Sequence, residues 1–326
     1  MTSYTPLKGF TDIHSSTLSN DIQDGLIEYL DWALLDKGNF FNVTLGEVSP
    51  NGSDYSKLRL SSNDSYSSGQ VWEGFRKNWV WQSGITVDGM DSPLVSSDPN
   101  HLGVSGVYVN DTFQPSSGVG EYAHRIDHFH GRVIFDSAIP TTSKVQATFS
   151  YKHINIVYAN SVPWLREIQT STLQPNSNFN EVSKGEWDIP PETRLQLPAI
   201  AVEIVPTRRF KGYQLGGGQF VFSDVIFHCI AEDEYTRNQM VDIISLQNDK
   251  TIHLFNSNVI NSSGDFPLDY NGSPVPSALR YPDLIEKYPG GKLRLTNARI
   301  EQMIMAKSDV FGGIVRVTTE GIKANI

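Results

Sequence analysis

Long hydrophobic runs are missing from this 326-residue sequence, and nothing in it approaches the roughly 20 apolar residues of a membrane-spanning helix. Residues Met1 to Phe10 hold no apolar core of the kind a secretory signal requires. The six Asn-x-Ser/Thr triplets, at Asn42, Asn51, Asn63, Asn110, Asn261 and Asn271, therefore reflect a Ser- and Asn-rich composition. The single cysteine, Cys229, cannot close an internal disulfide, which excludes a cystine-stapled scaffold and fits a reducing compartment. Charge is also sparse, at 19% of residues against about a quarter in ordinary soluble domains. The net charge of −10 argues against a nucleic-acid groove, although passive lining of a DNA passage is compatible with it. No Gly-x-Ser-x-Gly elbow, His-Glu-x-x-His helix or phosphate-binding loop occurs, and no carboxylate pair stands out. The sequence reads as a non-enzyme without a cofactor.

Ser, Asn, Thr and Gly fill the place that charge leaves, and they punctuate short strands. A helix is expected over Asn20 to Lys37, with Asn20 and Gln23 as its N-terminal capping pair. Its apolar face is Leu18, Ile22, Leu26, Tyr29, Leu30 and Ala33. From residue 39 to 190 the character is β-rich. Asn78 to Trp81 reads as a strand, and so do Val107 to Val109, Tyr122 to Asp127 and Arg132 to Phe135. Strict alternation from Val145 to Tyr158 places Val145, Ala147, Phe149 and Tyr151 on a buried face. Gln146, Thr148, Ser150 and Lys152 fall on an exposed one, as in a small sandwich or projecting sheet. Trp164, Leu165 and Ile168 suggest a helical turn, and Thr170 to Pro191 a polar connection.

Past Pro191 the strands lengthen. Ala199 to Val205 is a central strand, Tyr213 to Gln219 a glycine-rich turn, and Phe220 to Ala231 its antiparallel return. A second helix is capped by Thr236 with Gln239 and packs through Met240, Val241, Ile243, Ile244 and Leu246. A loop region rich in Pro and Asn follows, and strands Leu293 to Met305 and Val310 to Gly321 close the sheet. The fold class is thus α+β: an antiparallel or mixed sheet with flanking helices in residues 1–38 and 191–326, plus a sandwich-like β-rich insertion in residues 39–190.

Each chemistry-bearing cluster has a plainer alternative. His124, Asp127, His128 and His130 are the only metal-like constellation, but no cysteine or second carboxylate pair frames them, and polar residues on a hairpin's exposed face are preferred. Gly216, Gly217 and Gly218 follow strand rather than precede helix, so a hairpin tip is preferred to a phosphate cradle. Arg208, Arg209 and Lys211, beside Phe210 and Tyr213, form the densest basic cluster. Arg and aromatic residues are enriched at interfaces, so Arg208, Arg209, Phe210, Lys211, Tyr213 and Gly217 are the candidate intersubunit contacts. Cys229 reads as a buried structural thiol. Trp72, Trp79, Trp81, Trp164 and Trp187 read as core or interface anchors, with a sugar-binding platform as the minority reading.

The order helix, strand Pro198 to Val205, glycine-tipped hairpin, strand Phe220 to Ala231, helix Thr236 to Leu246 and closing strand Val310 to Gly321 resembles the tail-terminator and tail-completion proteins of tailed bacteriophages. The middle segment from Gly106 through Gly131–Asp136 to Tyr151 is similar to β-domains of phage virion proteins. The resemblance implies a homo-oligomeric ring, a hexamer, at the head-proximal end of the tail. Such a ring would end tube growth and meet neck, tail-tube or sheath proteins, in a virion assembled in the host cytoplasm. A collar, sheath-associated or baseplate ring remains the alternative within virions, and a carbohydrate-binding adhesion module the alternative outside them.

Overall fold

The computed structural model describes residues 18–48, 52, 54–62, 65–98, 101–116, 118–159, 168–169, 195–212, 219–263, 278–307 and 310–323. Strands dominate, helices are few, and the class is mixed α+β. The expected turn at Trp164 and Leu165, the connection from Thr170 to Pro191 and the glycine-rich turn itself lie outside the described residues; Ile168 falls in a two-residue strand.

The chain enters through helix α1 (Leu18–Leu35). Ile22, Leu26, Ile27, Leu30 and Leu34 form its buried face, as the helical spacing requires. Asn20 lies inside the helix rather than at its cap, and Gln23 donates instead to the Val202 carbonyl at 3.0 Å. The helix stops at Gly38, whose φ of +90° suits a residue without Cβ. Its N–H donates to the Leu35 carbonyl, and that of Asn39 to the Leu34 carbonyl, each at 3.0 Å.

Ten short strands follow: β1 (Phe40–Val43), β2 (Arg59–Leu60), β3 (Val71–Glu73), β4 (Gly106–Val109), β5 (Thr112–Pro115), β6 (His124–Asp127), β7 (Arg132–Phe135), β8 (Val145–Ala147), β9 (Phe149–Lys152) and β10 (Asn155–Tyr158). The first nine make three small sheets, ordered β1-β9, β2-β3-β7-β6 and β5-β4-β8. All three contribute to one core, which includes Val43, Trp72, Trp79, Val107, Val133, Phe135, Ala147 and Phe149. Trp79 stacks on Phe149 at 4.3 Å between ring centroids. Asn78 to Trp81 is not a strand: Asn78 has a φ of +52° and Trp79 makes only an isolated bridge to Tyr151.

The segment expected as one alternating strand is broken into β8, β9 and β10, and its polar face is covered. Gln146 and Ser150 are buried. The Gln146 amide donates to Asp54 and Ser56, at 2.8 and 3.0 Å. Ser150 donates to Asn42 and accepts from the Leu94 N–H, each at 2.7 Å. Period-2 polarity therefore marks a hydrogen-bonded seam here, because a buried polar group must find partners.

β10 leaves this region and pairs in parallel with β13 (Ala199–Gly212). Strands β11 (Ile168–Gln169) and β12 (Leu195–Gln196) form a separate two-stranded pair. Beyond β13 come β14 (Gln219–Ala231), helix α2 (Glu234–Ser245), β15 (Thr251–Phe255), short helices α3 (Ser257–Ser263) and α4 (Tyr281–Lys287), β16 (Pro289–Lys307) and β17 (Val310–Lys323). The large sheet, ordered β10-β13-β14-β17-β16-β15, curls as a half-barrel. The region expected as loop after α2 thus contains an edge strand and two short helices. The cap of α2 is Asp233, which accepts from the Thr236 N–H at 2.8 Å, and Leu246 is exposed rather than packed.

A polar seam joins the two regions. Arg76 donates to the Leu197 carbonyl at 2.9 Å, Lys77 N–H to Gln196 at 2.6 Å, and Asn78 to Asn155 at 2.6 Å. The side chain of Asn39 both donates to and accepts from the backbone of Ile154.

Candidate interaction surface

The large sheet is unequal on its two faces. Odd-numbered residues of β14 (Val225, Phe227, Cys229, Ala231) share one core with α1 and with Met240, Val241 and Ile244 of α2. Both helices thus cover the same face. Burial pushes the Cys229 thiol up to about 12, so at neutral pH it is protonated and inert, as a structural thiol should be.

The opposite face carries a ladder of charged and polar side chains. Glu203 meets His228 at 2.7 Å. Asp224 accepts from Thr318 at 2.9 Å and lies 3.4 Å from Arg316. Arg316 donates to Glu301 at 2.6 Å, and Arg299 stands 3.3 Å from the same carboxylate. The hydrogen bond to Glu301 holds the Arg316 guanidinium above its ordinary range. This ladder was missed in the sequence, although its signal is there: Asp224 and His228 fall on the alternate positions to Val225, Phe227 and Cys229, and Arg316 and Thr318 on those to Val315 and Val317.

β13 runs seven residues past the expected end at Val205, so the basic cluster lies on a strand. Alternation divides it. Arg208 and Phe210 pair with Ser223 and Val221 on the face that carries the helices, while Arg209 and Lys211 pair with Phe222 and Phe220 on the open face. Arg209 sits over the Phe222 ring at 5.8 Å, within cation–π range. The side-chain nitrogen Nε of Arg208 is shielded from solvent and has no hydrogen-bond partner among the described residues. Tyr213 and Gly217 lie outside the described residues.

The histidine cluster is organised by Asp127. Only His124 and Asp127 sit on β6; His128 and His130 lie in the following turn. Asp127 accepts from His130 at 2.7 Å and from Arg132 at 2.9 Å. Burial raises its pKa, but the bonds and charge of His130, with Arg132, outweigh burial and hold the carboxyl below its ordinary value. His124 is buried against the Tyr122 carbonyl, and burial lowers its pKa. His128 accepts from the Val104 N–H at 3.1 Å. His124, Asp127 and His128 are thus interior, not an exposed hairpin face. Among the described residues no three His, Cys, Asp or Glu side chains are grouped to hold a metal ion.

Trp72, Trp79 and Trp81 are buried and present no flat platform to a sugar ring. Trp164 and Trp187 lie outside the described residues. A second seam runs along α1: Tyr158 donates to Asp24 at 2.7 Å, and Asp31 accepts from Lys152 at 2.7 Å and Gln82 at 2.9 Å. Glu28 stands between these carboxylates, and burial together with Asp31 and Asp24 pushes it up to about 7 against the pull of Lys152. Among the described residues no helix is long and apolar enough to cross a membrane.

No protein-family model matches the chain, and no curated protein matches it.

Proposed function

We propose that this chain is a structural subunit of a tailed-phage particle. It forms a ring at the head-proximal end of the tail that ends the tube and joins it to the head. The observation that carries the reading is the large sheet, covered by helices on one face, with the β13–β14 strands prolonged past them and the β16–β17 strands running under α2 to their turn. Phe210, Ile300, Met303 and Met305 are exposed on those strands. A ring needs two different complementary surfaces on one subunit, and a sheet with two dissimilar edges offers them. The β-rich region, held to the sheet base by the Arg76 and Asn39 contacts, would project as docking surface toward neck or sheath proteins. The burial of Trp72, Trp79 and Trp81 counts against the carbohydrate-binding alternative.

The test is to add the purified full-length protein to isolated tail tubes and view the ends by electron microscopy. Caps one ring thick at a single end are expected. Bare ends, with the protein persistently monomeric by light scattering, would sink the reading.

A further inference from the structure

The two outer edges of the large sheet are each paired over only part of their length. On its outer side β13 is joined by β10 from Ala199 to Val202 only. β15 covers β16 from Pro289 to Arg294, and Asp249, Lys250 and Asn248 extend that cover to Leu295 and Ala298. Among the described residues nothing pairs with the outer sides beyond these points. An open strand edge presents a row of N–H and C=O groups that require partners.

Bulges delimit what each edge offers. One lies between Ile204 and Arg208 of β13, leaving Arg208–Gly212 in regular register with β14. Another lies between Ile300 and Gln302 of β16, leaving Gln302–Met305 regular against β17. Pro206, within the first bulge, adds a residue that cannot donate. Each edge is thus reduced to a four- or five-residue template, which limits indiscriminate pairing.

Resting on the ring reading, we propose that neighbouring copies join by pairing the β13 edge at Arg208–Gly212 of one with the β16 edge at Gln302–Met305 of the next. Three features select a second copy as the occupant. The first is direction: three successive antiparallel steps, β13 to β14 to β17 to β16, make β16 antiparallel to β13. Two copies in the same orientation therefore bring these edges together as an antiparallel pair.

The second feature is side-chain match. On the face that carries the helices, Phe210, 57% exposed, meets Met303 and Met305, 43% and 66% exposed. These methionines share that face because they pair with Gly313 and Phe311, opposite Cys229 and Ala231. On the open face, the same register sets Arg209 opposite Ile304 and Lys211 opposite Gln302, with Glu301, held by Arg316 and Arg299, just beyond the template. The match is thus apolar on the face that carries the helices, and the cationic edge belongs to a chain whose net charge is −10.

The third feature is offset. Phe210 is level with Val221, and Met303 with Cys229, eight β14 positions away. Each copy is thus displaced along the strands by about 26 Å at ~3.3 Å per residue. The contact is head-to-tail, and a stagger between strands is what closure of a sheet into a barrel demands.

The test uses the full chain with F210C and M303C together, each alone, and M305C in place of M303C should the first pair fold poorly. The native Cys229 is buried. Native mass spectrometry first establishes the assembly, and a short bismaleimide then links apposed thiols. The double variant is expected to give a ladder of cross-linked species ending at the ring mass, and each single variant none. A ring without a ladder would overturn the edge pairing and leave the ring reading standing. Self-linking of F210C alone would show a two-fold contact and overturn it as well. A protein that never assembles would overturn both.

Discussion

The six-stranded sheet and the three-sheet region share one sequence device, alternation of polar and apolar residues, and use it in opposite ways. In β14 and β17 the polar positions Asp224, His228, Arg316 and Thr318 stand on a face without helices and bond sideways, Asp224 to Arg316 and Thr318 and His228 to Glu203 of β13. In β8 and β9 the polar positions Gln146 and Ser150 are covered and bond to Asp54, Ser56 and Asn42. One region therefore keeps a surface available for contact, whereas the other spends its polarity on holding three small sheets together. An assembling protein needs both: an open sheet, and a rigid body beside it.

The largest expected effect comes from Trp79→Ala, which removes the ring stacked on Phe149. Loss of about 3–5 kcal/mol of stability is expected from the cavity, read by chemical denaturation. If the two regions fold as one unit, far-UV and near-UV signals shift together; separate transitions would break the coupling argued here. Arg76→Met tests that coupling directly. It removes a charged donor to the Leu197 carbonyl and is expected to cost about 2–3 kcal/mol and to split the transition in two.

Gln146→Ala strips Asp54 and Ser56 of a buried partner and should cost about 1–2 kcal/mol. Glu28→Gln is an effect with a definite pH sign. The folded pKa of about 7 lies above the ordinary 4.5, so the folded state binds this proton more tightly. Stability from this group is complete below about 4.5 and is lost as pH rises toward 7. The wild type minus E28Q stability difference should fall across that window and stay flat above it; a rising difference would refute the seam's electrostatics. Arg316→Ala, on the open face, should change stability by only about 0.5 kcal/mol or less. A loss as large as that of Gln146→Ala would erase the distinction between the two faces.

The long elements were legible because local and tertiary signals agreed. Helix α1, β14 and the last two strands follow their periodicities to within a few residues, whereas β13 starts where expected and runs on to Gly212. Capping was misread at both helices, since Asn20 and Thr236 are as suitable as the residues that surround them, and Asp233 took the second cap. The β-rich region was harder. Its strands are two to four residues long, and alternation cannot tell a solvated polar face from a buried seam whose partners lie some 90 residues away, as Asp54 and Ser56 do from Gln146. β15 was lost because five residues between two turns carry little pattern. The basic cluster was found, but its division between two faces depends on how far β13 runs.

Whether the open sheet is an assembly surface is tested most directly by native mass spectrometry of the full-length protein over a range of concentrations. The account predicts one discrete closed multiple of the chain that grows no further as concentration rises. A single-chain mass throughout, or an unbounded series of sizes, would contradict it.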